Sequence, residues 1–123
     1  DAIIFVVDVQ TGVTDLDSAL AKLLLKRSKD VVLAVNKVDD ERWQSEIYQF
    51  LQLGLGDPIP VSAMQGRMVG DFLDVLVSLF PDQETVSADD IYFSLAVIGK
   101  ENVGKSSFIN VLMGSEKNTL GLI

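Results

Sequence analysis

The chain has no cysteine and no histidine. Without cysteine there is no disulfide framework and no thiolate metal site. Without histidine there are no imidazole metal ligands, no histidine-based triads and no imidazole acid–base chemistry. Any chemistry must rest on carboxylates, lysine, hydroxyls, backbone amides and a borrowed metal ion. Positive charge is also scarce: 10 Lys and Arg stand against 18 Asp and Glu, a net charge of −8. The acidic residues are spread along the chain, a surface that disfavours nucleic acid and anionic membrane, because phosphate contact needs basic clusters. No apolar run approaches the roughly 18 residues of a membrane span. The chain opens on Asp1, not Met, and runs straight into apolar sequence with no signal peptide. It reads as part of a longer, cytoplasmic protein with no membrane partner.

What is present is apolar: 48% of 123 residues, enough for a packed core. Ile3 to Val7 is a short run of branched residues ending at Asp8, the mark of a buried parallel strand. Thr14 is a plausible N-cap for a helix carrying Leu16, Leu20 and Leu24 on one face, with Lys26, Arg27 and Lys29 at its solvated end. Val31 to Val35 is a second strand, ending at Asn36. Asp40 to Gln52 is expected as one helix, with Trp43, Ile47, Phe50 and Leu51 inward and the two aromatics as core. After Gly- and Pro-rich turn chemistry, Ile59 to Val61 is a third strand, placed at an edge by Pro60. A helix with Phe72, Leu73, Leu76, Leu79 and Phe80 inward follows Gly66 and Gly70. Pro81 to Asp90 is an acidic linker, Tyr92 to Ile98 a fourth strand, and Gly104 to Met113 a helix with Phe108, Ile109 and Leu112 inward. Alternating strands and helices predict an α/β fold, a layered and mostly parallel sheet. Its functional groups belong at the carboxyl ends of strands, where Asp8, Asn36, Ser62 and Gly99 fall.

One of those ends carries a phosphate loop. Gly99-Lys100-Glu101-Asn102-Val103-Gly104-Lys105-Ser106 has glycine, four residues, then glycine-lysine-serine, and runs on into Ser107. The glycines let backbone amides turn inward around phosphate oxygens. The following helix offers its positive end to the anion. Lys105 can reach the β- and γ-phosphates, and the Ser106 hydroxyl can ligate Mg²⁺.

Asn36-Lys37-Val38-Asp39 follows the second strand. The Asp39 carboxylate can accept from guanine N1–H and the 2-amino group together, a donor pair that adenine lacks. The stem of Lys37 can lie along the base face, and the Asn36 amide can tie neighbouring loops together. Ser62-Ala63-Met64 follows the third strand, where a backbone amide can donate to guanine O6. Together the segments point to GTP or GDP with Mg²⁺.

These segments resemble the Ras-like P-loop NTPase GTPases of the translation-factor class, and more closely the EngA/Der family, which carries two GTPase domains in tandem. Asp8 to Thr14 looks like the family's segment after switch II, with Val9 where glycine is usual. Leu53 to Ala63 is the most specific stretch, and Gly66, Gly70 and Asp71-Phe72-Leu73-Asp74 continue it. The resemblance covers nearly all of residues 1–114. It implies that residues 1–80 are the C-terminal half of a first GTPase domain, 81–91 a linker and 92–123 the start of a second. It also implies GTP hydrolysis coupled to assembly of the large ribosomal subunit. Asn102 matches a family asparagine that supports a bound K⁺ in related GTPases, while Glu101 stands where the family usually has proline. The catalytic-Mg²⁺ aspartate and the DxxG glycine are not in this sequence, so no catalytic residue is assigned.

In the tandem arrangement the two motif sets serve two nucleotides. In an alternative, circularly permuted arrangement the strand Tyr92–Ile98 packs beside Ile3–Val7 and one mixed site forms. A third reading is a non-catalytic interaction module, and the 123 residues alone are expected to show negligible turnover.

Overall fold

In the computed structural model, residues 2–27, 30–78 and 95–115 are described. The linker, the ends of the third helix and of the fourth strand's predicted run, and the tail lie outside them.

Four strands form one sheet: β1 (Ala2–Asp8), β2 (Asp30–Asn36), β3 (Ile59–Pro60) and β4 (Leu95–Ile98). Their order is β3-β2-β1-β4, and every pairing is parallel. β1 is central, with Ile3 opposite Val31 on one side and Ala96 on the other. That position explains its unbroken apolar run: all seven residues are buried, because neighbours cover both edges and helices cover both faces. β3 lies at the sheet edge, as Pro60 requires. Of the two arrangements weighed from the sequence, the structure has β4 beside β1.

Side-chain alternation along β1 divides the core into two layers. Ala2, Ile4 and Val6 face α3 (Val69–Ser78) and α4 (Lys105–Ser115), where they pack with Phe72, Leu76, Phe108 and Leu112. The Phe72 and Phe108 rings meet edge to face, centroids 5.1 Å apart at 84°, the geometry their quadrupoles favour. Ile3, Phe5 and Val7 face α1 (Asp15–Leu25) and the segment Ser45–Leu53, where they pack with Ala21, Leu24, Ile47 and Phe50. Val9 is buried in this second layer.

Two elements differ from their sequence patterns. Thr14 does cap α1, and reciprocally: its hydroxyl accepts from the Asp17 amide while the Asp17 carboxylate accepts from the Thr14 amide. The capping box turns Asp17 inward, so the buried face is Asp17, Ala21 and Leu24. Leu16 is half exposed instead of inward. The expected helix from Asp40 to Gln52 is two pieces. α2 (Glu41–Gln44) is a single α-turn, and Ser45–Leu53 is a 3-10 helix. Ile47, Phe50 and Leu53 repeat every three residues, the 3-10 period, and are buried, while Leu51 is exposed. Such a run is long for this helix type. Side chains support it: Ser45, Gln49 and Gln52 each donate to the carbonyl three residues before. Phe50 is core as expected; Trp43 is half-buried, with the Arg42 guanidinium 5.3 Å from its ring centroid.

Candidate nucleotide site

The carboxyl ends of β1, β2 and β4 and the loop after β3 converge. Asn36 is the knot. It is buried at the end of β2, its Nδ2 donates to the Val103 carbonyl (2.9 Å), and its Oδ1 accepts from the Ala63 amide (3.0 Å). One amide thus joins the base-reading loops to the phosphate loop, 67 residues away. Buried and fully used, these bonds are costly to lose.

Lys37 adopts a positive φ of 67°, uncommon for a residue with a Cβ. Its ammonium donates to the Asn102 carbonyl (2.6 Å) and pairs with the buried Asp8 carboxylate (3.0 Å). Asp39 is held from both oxygens. Oδ1 accepts from the Ser62 hydroxyl (2.6 Å) and Oδ2 from Gln10 Nε2 (3.4 Å), while Arg67 Nη1 binds its backbone carbonyl (2.9 Å).

The Ser62 and Ala63 amides are both engaged, with Arg67 O and Asn36 Oδ1. They position the segment. Met64, 85% exposed, is the member that borders the cleft.

The phosphate loop is shaped by close packing. A Cβ on Gly99 would lie 2.6 Å from the Val6 carbonyl oxygen, and one on Gly104 would lie 2.4 Å from Asn36 Nδ2. Gly104 also has φ +92° and Asn102 has φ +66°. Val103 is buried between them, an anchor for the loop. The first helical bond of α4 runs from the Phe108 amide to the Gly104 carbonyl. The Lys105, Ser106 and Ser107 amides therefore precede it, at the positive end of the dipole. No acidic residue occupies that first turn. The Lys105 ammonium arches back to the Gly99 carbonyl (2.7 Å), and Ser106 is exposed.

A cleft of about 260 Å³ joins the two motif sets: Asp39, Lys37 and Met64 line it together with Gly104 and Ser107. Its size is just under the range usual for small-ligand sites. Among the described residues no three acidic side chains gather as a metal cage. The exposed Ser106 hydroxyl, in the first turn of α4, is the group that would hold a Mg²⁺.

Asp8, placed by the sequence at a functional strand end, pairs with Lys37; Gln10, which the sequence does not single out as a site residue, touches Lys37 and Asp39 directly.

A phosphate loop and a base-reading motif at the carboxyl ends of a parallel sheet with helices on both faces define a P-loop GTPase fold. A family described as 50S ribosome-binding GTPase matches residues 94–121. GTPase Der of Clostridium novyi (strain NT) is 46% identical over 123 residues, all of this chain and 28% of that protein. GTPase Der of Streptococcus sanguinis (strain SK36) is 49% identical over 118 residues, 95% of this chain and 27% of that protein. A solved structure, the crystal structure of YjeQ from Thermotoga maritima, shares the fold, with a TM-score of 0.62 at 24% identity over 91% of this chain and 37% of that one. The chain is similar to the GTPase Der proteins along its length and spans a little over a quarter of the length of the relatives it matches.

Proposed function

We propose that the chain binds a guanine nucleotide in the cleft between Asp39 and the phosphate loop. The observation that carries this reading is the Asn36 bridge from the Ala63 amide to the Val103 carbonyl, which fixes base-reading and phosphate-binding segments at one spacing. The α4 amides and Lys105 would hold the phosphates, and Ser106 would hold a Mg²⁺ whose charge would offset that of the phosphates. Asp39 selects guanine through its N1–H and 2-amino donors, with Lys37 along the base face and the Met64 amide at O6. The exposed Asn102 side chain is the one that would support K⁺.

In the whole protein this site serves GTP hydrolysis, coupled to large-subunit ribosome assembly in the cytoplasm. Hydrolysis also needs a positioned water and switch contacts to the γ-phosphate, so the 123 residues alone turn over negligibly. The acidic charge of this segment leaves RNA contacts to other parts of the protein.

A second reading has specific support: the likeness to Der relatives is collinear over the whole chain. On it, residues 1–80 close a first GTPase domain, 81–91 link, and 92–123 open a second, so each motif set serves its own nucleotide. Calorimetric titration of the chain with GDP and ADP in Mg²⁺ tests the primary reading. One GDP per chain with ADP at least 100-fold weaker is expected. Equal affinity for the two, or no binding of either, would overturn it.

A further inference from the structure

Guanine recognition by Asp39 depends on the direction of its carboxylate, and by Lys37 on the lie of its stem. Both are exposed enough to wander, since Asp39 is only partly buried and the Lys37 side chain retains 35% of its surface. Lys37 also donates to the Asn102 carbonyl and Asp39 also accepts from Ser62, but both share one further source of restraint, the end of β1. Asp8 is buried, with side-chain exposure of 4%, and its Oδ2 lies 3.0 Å from the Lys37 ammonium. Its Oδ1 accepts from the Gln10 amide at 2.8 Å, which orients the carboxylate and folds the chain back over the cleft. That turn carries the Gln10 side chain to the base-reading loop, where Nε2 donates to the Lys37 carbonyl (3.0 Å) and to Asp39 Oδ2 (3.4 Å). Gln10 also lines the cleft itself. Since the Ser62 hydroxyl fixes Asp39 Oδ1, Gln10 supplies the second restraint on the carboxylate plane.

We propose that Asp8 and Gln10 are specificity-positioning residues: Asp8 holds the Lys37 stem in line with the base, and Gln10 holds the Asp39 carboxylate toward its hydrogen-bonding edge. The inference rests on the reading of the cleft as a guanine-nucleotide site. The two residues act on different parts of the base, so their effects separate. Inosine diphosphate keeps N1–H but lacks the 2-amino group, so the ratio of GDP to IDP affinity reports how well Asp39 takes both donors. Lys37 meets the base face, which the two nucleotides share.

The test is calorimetry of GDP, IDP and ADP on the unmodified chain and its variants. Gln10→Ala, at an exposed position, should lower the GDP-to-IDP ratio at least threefold. Asp8→Asn keeps shape and an acceptor for the Gln10 amide but removes the charge. It should weaken GDP and IDP alike, about tenfold, leaving their ratio unchanged. In a Lys37→Met background Asp8→Asn should change GDP affinity less than twofold, because its partner is gone. An unchanged ratio in Gln10→Ala, or GDP affinity within twofold of the unmodified chain in Asp8→Asn, would overturn the proposal. If Asp8→Asn does not fold, the Gln10→Ala ratio decides alone. Failure of the unmodified chain to prefer GDP over ADP would instead sink the reading of the site, and this inference with it.

Discussion

The two sides of the cleft are built by different means. On the base side of the proposed site, side chains are held by other side chains: Asp39 by Ser62 and Gln10, Lys37 by Asp8, Asn36 by two loops. On the phosphate side, side chains matter less than the path of the backbone, which two glycines, a left-handed asparagine and buried Val103 enforce. The difference matches what the proposed ligand would require. A base is told from another base by donor and acceptor pattern, which needs individually aimed groups. A phosphate is an anion of uniform surface, for which a ring of amides and a helix end suffice. The base side should therefore yield changes of preference when altered, and the phosphate side changes of affinity and stability.

The largest effect should come from the phosphate side. Gly99→Ala sets a methyl against a backbone carbonyl that cannot rotate away, and β4 must part from β1. A loss of about 3 kcal/mol of stability is expected, measured by urea unfolding, with GDP binding gone. Asn36→Ala comes next. It leaves the Val103 carbonyl and Ala63 amide without their partner, at a cost of about 2–3 kcal/mol. It should remove GDP binding although Asn36 touches no phosphate. Asp39→Asn should leave unfolding nearly unchanged yet weaken GDP at least tenfold and favour XDP, whose 2-oxo group suits an amide donor, read by competition calorimetry. Smallest is Thr14→Ala, which should cost about 1 kcal/mol of stability through the cap and leave GDP affinity untouched.

Much of this was legible in the sequence where physics is local. The strand ends at Asp8, Asn36, Ser62 and Gly99 could be read because apolar runs stop there, and the phosphate loop because its spacing is strict. Even the linking role of the Asn36 amide could be expected from its chemistry, though not that its partner would be Val103. That pairing spans 67 residues, and no local pattern encodes it. The sequence offers β4 beside β1 only as one of two arrangements for the same reason, since two apolar strands of similar character do not say which edge each will take. Leu16 and Leu51 were misplaced by assuming an ideal α-helical face. A capping box rotated α1, and a three-residue repeat of Ile47, Phe50 and Leu53 drew the next segment into a 3-10 helix. Gln10 was missed because its role depends on a turn set by Asp8.

Whether one nucleotide engages both sides of the cleft at once is tested most directly by titrating GDP into the chain, into Asp39→Asn, into Lys105→Ala and into the double variant. A shared site predicts that each single substitution weakens GDP at least tenfold, at opposite ends of one ligand. Additive losses would then leave the double variant with no measurable binding. If GDP instead binds the unmodified chain and Lys105→Ala equally well, the base-reading half works without the phosphate loop and the composite site is wrong.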